Sequence, residues 1–214
     1  KLEDVPADIS EEIEISHGEL MEAVAEVDDE LIEKYLESGE LTEEEFSRGL
    51  KEGIQNGQLI PVLCGSALEN IGVDLLLEAV VKYLPSPENR IPVKAKKIED
   101  NTEIAVSANG SDVASALVFK TVADPYAGKL TLFRMFSGAI KGDSSIYNTS
   151  KNVSERIGQL YMLQGKTQIS VSEISAGDIG TVAKLKQTIT GDTFSSTNEK
   201  VIFPPIVFPL PVFS

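Results

Sequence analysis

The residue pattern changes at Pro85-Ser86-Pro87, and this change limits the possible folds more than any other feature of the sequence. Before it, apolar residues recur at the three- and four-residue spacing of amphipathic helices. After it, short β-type runs are separated by turn signals such as Gly142-Asp143 and Gly177-Asp178. Many short strands without intervening helices favour a small β-barrel or sandwich. We therefore expect two folded parts.

The formal charge divides at the same place. The 214 residues include 34 acidic and 19 basic side chains, for a net charge of −15. Residues 1–90 contain 23 acidic and 6 basic side chains, net −17, whereas residues 91–214 contain 11 and 13, net +2. The total argues against a nucleic-acid partner, but it hides a near-neutral second part. Within residues 1–50, a solvated acidic face is the simpler interpretation of this charge.

Several classes of protein are excluded by composition. The sequence has no run of about 18 apolar residues for a membrane span, and its N-terminus lacks the layout of a signal peptide. Cys64 is the single cysteine and His17 the single histidine, which excludes an intramolecular disulfide and leaves too few ligands for structural zinc. Ser66 lacks the second glycine of a nucleophile elbow. We expect a cytoplasmic protein with no catalytic or metal-binding residue in this sequence, and Cys64 as a small buried hydrophobe.

The first part is predicted to be helical. The spacing from Ser10 to Leu36 predicts one amphipathic helix that stops near Ser38-Gly39. Thr42 and Glu45 then offer a capping box for a second helix, which should end near Asn56-Gly57 with Gly57 in the left-handed conformation.

A strand, a loop and a helix are predicted next. The apolar run from Leu59 to Cys64 favours a buried strand, and Gly65 to Asn70 is a turn. A third helix is predicted from Val73 to Leu84 with an inward apolar face consisting of Leu76, Leu77, Val80, Val81 and Leu84. This order is typical of the last βα unit of a parallel-sheet domain.

The second part is predicted to consist of short strands and an apolar tail. The predicted strands are Ala114 to Val122, Leu130 to Ser137, Ser144 to Tyr147, Arg156 to Leu163, Ile169 to Val171 and Gly180 to Leu185. Val201 to Ser214 has no evident packing partner, and we expect Phe203, Phe208 and Phe213 to stay unburied within their own fold. The tail should be disordered or should pack on the barrel or on a neighbouring molecule.

The loop after the predicted strand carries a specific resemblance. Val62 to Leu68, with the sequence Val-Leu-Cys-Gly-Ser-Ala-Leu, resembles the fifth nucleotide-binding motif of translational GTPases, and bacterial elongation factor G is the most similar family. In that family the loop closes over the guanine base, and an N–H at the Ala position donates to guanine O6. The resemblance implies guanine contacts from Gly65, Ser66, Ala67 and Leu68, and GTP as the cofactor of the intact protein.

The resemblance extends over nearly the whole sequence. Glu22 to Leu31 and Lys34 to Leu36 resemble the helical insertion in the GTPase domain of elongation factor G. Motifs of its second domain follow in order: Phe119-Lys120, Asp124-Pro125, Gly128 to Leu130, Arg134 to Gly138, Glu155-Arg156, Ala176 to Ile179 and Thr190 to Thr193. Phe208 to Val212 resembles the opening strand of the third domain. Tyr161 to Lys166 departs from the family pattern, which suggests a divergent paralogue.

The resemblance implies a multidomain α+β fold: a helical insertion and the last βα unit of a P-loop GTPase-type domain, followed by a translation-factor β-barrel. We assign residues 1–90 to the GTPase domain, with the insertion at about 10–58. Residues 91–198 are assigned to the barrel, and 199–214 to a linker and the truncated start of the third domain.

The phosphate-binding motifs of a GTPase are missing from this sequence. It has no Gly-x-x-x-x-Gly-Lys-Ser/Thr, no Asp-x-x-Gly switch motif and no Asn-Lys-x-Asp base-reading motif. Phosphoryl transfer needs the phosphate cradle and its Mg²⁺ site. We therefore expect these residues alone to bind no GTP and to hydrolyse none.

The expected function is that of a ribosome-associated translational GTPase in translocation or ribosome recycling. The alternatives are a tetracycline-resistance ribosomal protection protein, a release-factor-type GTPase, or, in another class, a non-catalytic protein-binding module. The long insertion from Ser10 to Gln58 favours elongation factor G. The resemblance implies contact between the barrel and small-subunit rRNA, for which we select Lys129, Arg134, Lys141, Arg156 and Lys166. The insertion is a candidate contact for the ribosomal stalk protein, and no membrane partner is expected.

Overall fold

The computed structural model describes residues 6, 8–90, 92–108, 113–125 and 128–209. The chain divides into two compact units, Lys1–Pro85 and Ser86–Ser214, which we call the helical unit and the β unit. The predicted α+β class, with a helical part followed by a β-barrel part, is confirmed: four described helices precede a large antiparallel sheet. The predicted boundaries at residues 90 and 198 stay predictions. No helix within the described ranges has the length and apolar character needed to cross a membrane.

The helical unit contains four helices in its described residues. They are α1 (Ser10–Ala25), α2 (Asp29–Ser38), α3 (Glu43–Gln55) and α4 (Val73–Tyr83). The prediction of a single helix from Ser10 to Leu36 is wrong, because Asp28 is extended and its carboxylate accepts the Glu30 N–H at 3.2 Å, which starts α2. Apolar spacing continues across this cap and therefore does not reveal the break.

The predicted capping box at the start of α3 is confirmed. The Thr42 hydroxyl accepts the Glu45 N–H at 3.3 Å, and the Glu45 carboxylate accepts the Thr42 N–H at 3.1 Å. The Lys34 ammonium donates to the same carboxylate at 2.7 Å. These hydrogen bonds, from Lys34 first and then from Thr42, lower the pKa of Glu45 to about 2. Gly57 takes the predicted left-handed conformation, with φ 75°.

A small core joins the first three helices. It contains Val24, Ala25, Leu31 and Leu41, with Met21, Tyr35, Phe46, Leu50 and Leu59 packed around it. A Cβ on Gly49 would lie 2.6 Å from a Leu31 methyl carbon and 2.8 Å from a Val24 methyl carbon. Glycine at this position of α3 therefore allows the close approach of the helices.

Two predictions about Leu59 to Cys64, that it forms a strand and that it is buried, are wrong. It is not a strand, and no described strand pairs with it. Val62 is 86% exposed and Cys64 is also exposed, so neither is the buried hydrophobe we expected. A strand needs a partner for its backbone groups, and the described chain supplies none beside this run.

Helix α4 forms as predicted, but its apolar face is not buried. None of its residues is buried, and the residues expected to face inward are all exposed: Leu76, Leu77, Val80, Val81 and Leu84. The amphipathic pattern gave the correct helix, whereas burial also needs an opposing surface.

The β unit consists of short antiparallel strands after a 3₁₀ turn at Pro87–Asn89. The strands are β1 (Val93–Lys97), β2 (Glu103–Val106), β3 (Ser115–Asp124), β4 (Gly128–Ser137), β5 (Ala139–Lys141), β6 (Ser145–Asn148), β7 (Val153–Arg156), β8 (Leu160–Gln164), β9 (Thr167–Val171), β10 (Glu173–Ser175), β11 (Ile179–Ala183), β12 (Thr193–Ser195) and β13 (Val201–Ile202). Eight of them form one sheet in the order β7-β6-β12-β3-β4-β11-β8-β9, while β5 pairs with β10 and β1 lies between β13 and β2.

The larger of two apolar clusters in the described residues of the β unit contains twelve buried side chains. Phe133 and Phe194 are completely buried in it, with their rings edge to face and 5.8 Å between centroids. A Cβ on Gly180 would lie 2.6 Å from the Phe133 ring, so the packing needs glycine at this point of β11. The predicted run from Arg156 to Leu163 is two strands, because the chain turns between β7 and β8.

The tail packs better than we predicted. β13 pairs with β1, and Val201 and Phe203 are buried with Ala95 and Val106. The Phe203 ring lies 4.8 Å from that of Phe136. The expectation that Phe203 finds no place in its own fold is therefore wrong, because β1 and β2 form a second small sheet that the sequence pattern did not reveal. Phe208 is 63% exposed, and Phe213 lies outside the described residues.

Candidate functional site

The loop predicted to contact guanine is a tight turn that leads into α4. Ser66 and Ile71 face each other and exchange two backbone hydrogen bonds of 2.9 Å. The Ser66 hydroxyl accepts the Glu69 N–H at 3.3 Å, and Asn70 is left-handed with φ 53°. Gly72, with φ 74°, is the N-cap residue of α4. The loop is therefore held by its own backbone.

Gly65 is required by a close approach of two chain segments. A Cβ at this position would lie 2.9 Å from the Ile71 carbonyl oxygen. Any larger residue would push apart the Ser66–Ile71 pair that closes the turn. The small residue type at position 65 is thus explained by the local structure, independently of any ligand.

The tip of this loop offers unused hydrogen-bond donors. Ala67 and Leu68 are exposed, and their N–H groups donate to no other described residue. Beside them lies a shallow pocket of about 270 Å³, lined by residues of the loop and of α4, among them Leu63, Ile71 and Leu76. This arrangement can supply a backbone donor and an apolar wall to a planar base.

We found neither a metal-ligand cluster among the described residues nor a phosphate-loop motif in the sequence. No group of three or more His, Cys, Asp or Glu side chains is placed there to hold a metal ion. The sequence also lacks a Gly-x-x-x-x-Gly-Lys-Ser/Thr phosphate loop. The loop at residues 65–68 therefore offers backbone donors beside an apolar surface, and the described residues contain no group of side chains placed to hold a metal ion.

The five cations selected for rRNA contact are not gathered into one site. Lys129 donates to the Thr188 carbonyl oxygen at 2.6 Å, and Lys141 lies 3.6 Å from the Glu173 carboxylate. Arg134 lies in β4 and Lys166 in the turn between β8 and β9. Arg156 alone of the five lines a pocket that the described residues of the β unit form between the segments 153–161 and 183–187.

This pocket, which we call the Lys184 pocket, has a volume of about 850 Å³. Three exposed cations line it, Arg156, Lys184 and Lys186, and none of them forms an ion pair with a described residue. The other lining residues are Val153, Ser154, Glu155, Gly158, Gln159, Tyr161, Ala183 and Gln187. Sequence reasoning missed Lys184 and Lys186, because the pocket joins two segments separated by more than twenty residues.

Glu155 holds the second of these segments in place. Its carboxylate is buried and accepts the N–H groups of Lys186, Gln187 and Thr188 at 2.7, 3.2 and 2.8 Å. The Thr188 hydroxyl donates to it as well. Burial alone would raise the pKa of Glu155, but these hydrogen bonds outweigh burial and place the pKa below its ordinary value of 4.5.

Lys184 has an unusual backbone conformation at the edge of the pocket. Its φ is 65°, in the left-handed region that a lysine rarely adopts, and its N–H donates to the Lys129 carbonyl oxygen at 2.9 Å. Leu185 is buried between Lys184 and Lys186, which are both exposed. The chain thus turns so that both lysines remain at the surface.

Two comparisons relate this structure to known proteins. Residues 113–197 match the family model of elongation factor G domain 2. The chain is also similar to ttk003000868 from Thermus thermophilus, known from a crystal structure, with a TM-score of 0.72 and 30% sequence identity. That match covers 92% of this chain and 27% of the Thermus chain, so this chain spans about a quarter of the length of its relative. The chain is therefore elongation factor G-like, and its residues 113–197 form a domain of the elongation factor G domain 2 family.

Proposed function

We propose that this chain is part of a ribosome-associated translational GTPase that acts in tRNA and mRNA translocation or in ribosome recycling. The match of residues 113–197 to elongation factor G domain 2 carries the proposal. It is supported by the loop at residues 65–68, where the exposed N–H groups of Ala67 and Leu68 donate to no other described residue and so can contact a guanine base.

In this proposal the helical unit contributes only the base-contacting edge of a GTP site. Ala67 and Leu68 can donate to guanine O6, which is an acceptor where adenine has a donor amino group. GTP hydrolysis would need a phosphate loop and a Mg²⁺ ion to stabilise the negative charge of the phosphates, and the sequence has no phosphate-loop motif to hold them. Isothermal titration with GDP should therefore give no measurable binding. Micromolar affinity, about −8 kcal/mol, would overturn this description of the site.

The proposed ribosome contact is made by the β unit. Residues 91–214 have a net charge of +2 (13 basic minus 11 acidic side chains), against −17 for residues 1–90. Phosphate contacts dominate the affinity of proteins for RNA, so the near-neutral unit with exposed cations is the better candidate for RNA contact. The acidic helices are the proposed contact for a ribosomal stalk protein.

Binding of the full chain to purified ribosomal subunits tests the proposal. The exposed Cys64 is the only cysteine and can carry a fluorophore. Fluorescence anisotropy at low salt should show saturable binding to small ribosomal subunits and weaker binding to an equal concentration of large subunits. Equal binding to both subunits, or none to the small subunit, would overturn the proposal.

A further inference from the structure

We propose that the Lys184 pocket binds single-stranded RNA, with backbone phosphates at Arg156, Lys184 and Lys186. The inference rests on the proposed function, because it names the surface through which the β unit would meet RNA. It replaces the scattered cations selected from the sequence, of which Arg156 alone lines this pocket.

The charges of the pocket fit an anionic ligand. Its three cations have no described acidic partner, whereas Lys34, Lys97 and Lys141 are each paired with a glutamate. The one carboxylate in the lining, Glu155, is occupied by three backbone N–H groups and a hydroxyl. The cations are thus free to bind phosphate oxygens without displacing an internal ion pair.

The pocket is also held in shape before any ligand binds. Glu155 fixes the backbone of residues 186–188, and the Lys129 carbonyl fixes the N–H of Lys184. Left-handed lysine costs free energy that a glycine would not, and such strain is concentrated at functional sites. A pocket with a fixed backbone loses less entropy on binding.

The remaining lining favours nucleotides over an acidic peptide. Gln159 donates through its amide nitrogen to the carbonyls of Leu160 and Val171, and no described residue donates to its amide oxygen. That oxygen can accept from a base amino group. Tyr161 adds an aromatic ring on which a base can stack, and Gln187 adds a second amide. The volume of about 850 Å³ lies within the range of about 300–1,000 Å³ usual for ligand pockets.

NMR titration of the full, ¹⁵N-labelled chain locates the site. The probe is a single-stranded RNA octamer of mixed sequence at low salt, and inorganic phosphate and an octaglutamate peptide are titrated in parallel. We expect the RNA to shift amides of residues 153–161 and 183–187, and to bind more tightly than the other two probes. Shifts confined to other residues, or equal affinity for octaglutamate, would overturn the proposal.

Two charge-matched double variants test which cations act. Lys184→Gln with Lys186→Gln should weaken RNA binding about tenfold, since each lost phosphate contact removes a counterion-release contribution. Lys120→Gln with Lys151→Gln removes the same charge from exposed positions outside the pocket and should change affinity less than twofold. An equal loss in both pairs would show unspecific attraction and overturn the site.

A third variant, Lys184→Gly, separates an effect on RNA binding from an effect on folding. Lys184→Gly relaxes the left-handed residue, so we expect unchanged or higher thermal stability together with RNA binding that is several-fold weaker. Unchanged affinity would overturn the role of Lys184. If small subunits bind normally while the RNA shifts appear elsewhere, the pocket is wrong and the proposed function stands. If RNA occupies the pocket while small subunits do not bind, the proposed function fails.

Discussion

The two units of this chain differ in how they use their apolar residues. The β unit buries twelve apolar side chains in one cluster, including Phe133 and Phe194. The helical unit buries four, and every residue of α4 remains unburied although six of its eleven residues are leucine or valine. An amphipathic pattern is therefore sufficient to form a helix, whereas a core requires surfaces that face each other.

The units also differ in charge, and the difference follows their architecture. The helices present glutamate on exposed faces, and two of the four described cations of the helical unit, Lys34 and Arg48, form ion pairs with acidic side chains. The β unit has unpaired cations around the Lys184 pocket. Stability in the β unit should thus depend on packing, and in the helical unit more on caps and ion pairs.

The largest effect is expected from Phe133→Ala. It removes a fully buried ring that contacts Phe194, and we expect the β unit to lose about 4 kcal/mol of unfolding free energy. Val81→Ala in α4 should change stability by less than about 0.5 kcal/mol, since this side chain is 84% exposed. Urea unfolding followed by amide signals of each unit measures both. A large loss for Val81→Ala would show that α4 is buried.

Phe203→Ala should cost slightly less. Phe203 is buried beside Phe136 in the smaller cluster, so we expect a loss of about 3 kcal/mol. Phe208→Ala is the matched control, because its ring is 63% exposed. The midpoint of urea unfolding should fall for the first variant alone. Equal urea midpoints for the two variants would show that Phe203 does not contribute to the core of the β unit.

Glu155→Gln should remove about 2 kcal/mol, because the amide cannot replace a charged acceptor of several hydrogen bonds. The folded pKa of Glu155 is lower than its ordinary value of 4.5, so its contribution is present above that pH and is lost as pH falls through the folded pKa. When thermal midpoints are measured over a pH series, the midpoint of the variant should fall less steeply in acid than that of the original protein. Glu173→Gln, which removes an exposed ion pair, should leave the acid dependence of the thermal midpoint unchanged. Equal flattening in both variants would show that Glu155 is not the source of this acid dependence.

Thr42→Ala should have the smallest effect. It removes the hydroxyl that accepts the Glu45 N–H, and loss of such a cap costs about 1 kcal/mol. Hydrogen exchange should accelerate in the first turn of α3 and remain unchanged in the β unit. Thr42→Ser keeps the acceptor and should restore slow exchange; if it does not, the cap does not stabilise α3.

Local signals in the sequence were sufficient for much of the fold. The capping box at Thr42 and Glu45, the left-handed Gly57 and most long strands of the β unit follow from residue type and spacing alone. The Gly-Ser-Ala loop could be found because its residues are contiguous. The break at Asp28 was missed because apolar spacing continues through it.

Contacts between distant segments could not be predicted in the same way. Whether Leu59 to Cys64 forms a strand depends on the presence of a partner strand. The burial of Phe203 likewise depends on β1 and β2. The Lys184 pocket depends on Glu155, which accepts from amides about thirty residues away. No periodicity or short motif contains this information, so the five rRNA-contact residues chosen from the sequence remain an untested prediction.

The most direct test compares residues 86–214 with the full chain in binding to small ribosomal subunits. If the β unit makes the contact and the attached acidic residues oppose it, the shorter chain should bind about tenfold more tightly at low salt. The difference should vanish near 1 M salt, where screening extends over only about 3 Å. Equal affinities at low salt would contradict the electrostatic opposition between the units, and absence of binding by residues 86–214 would contradict the ribosome contact itself.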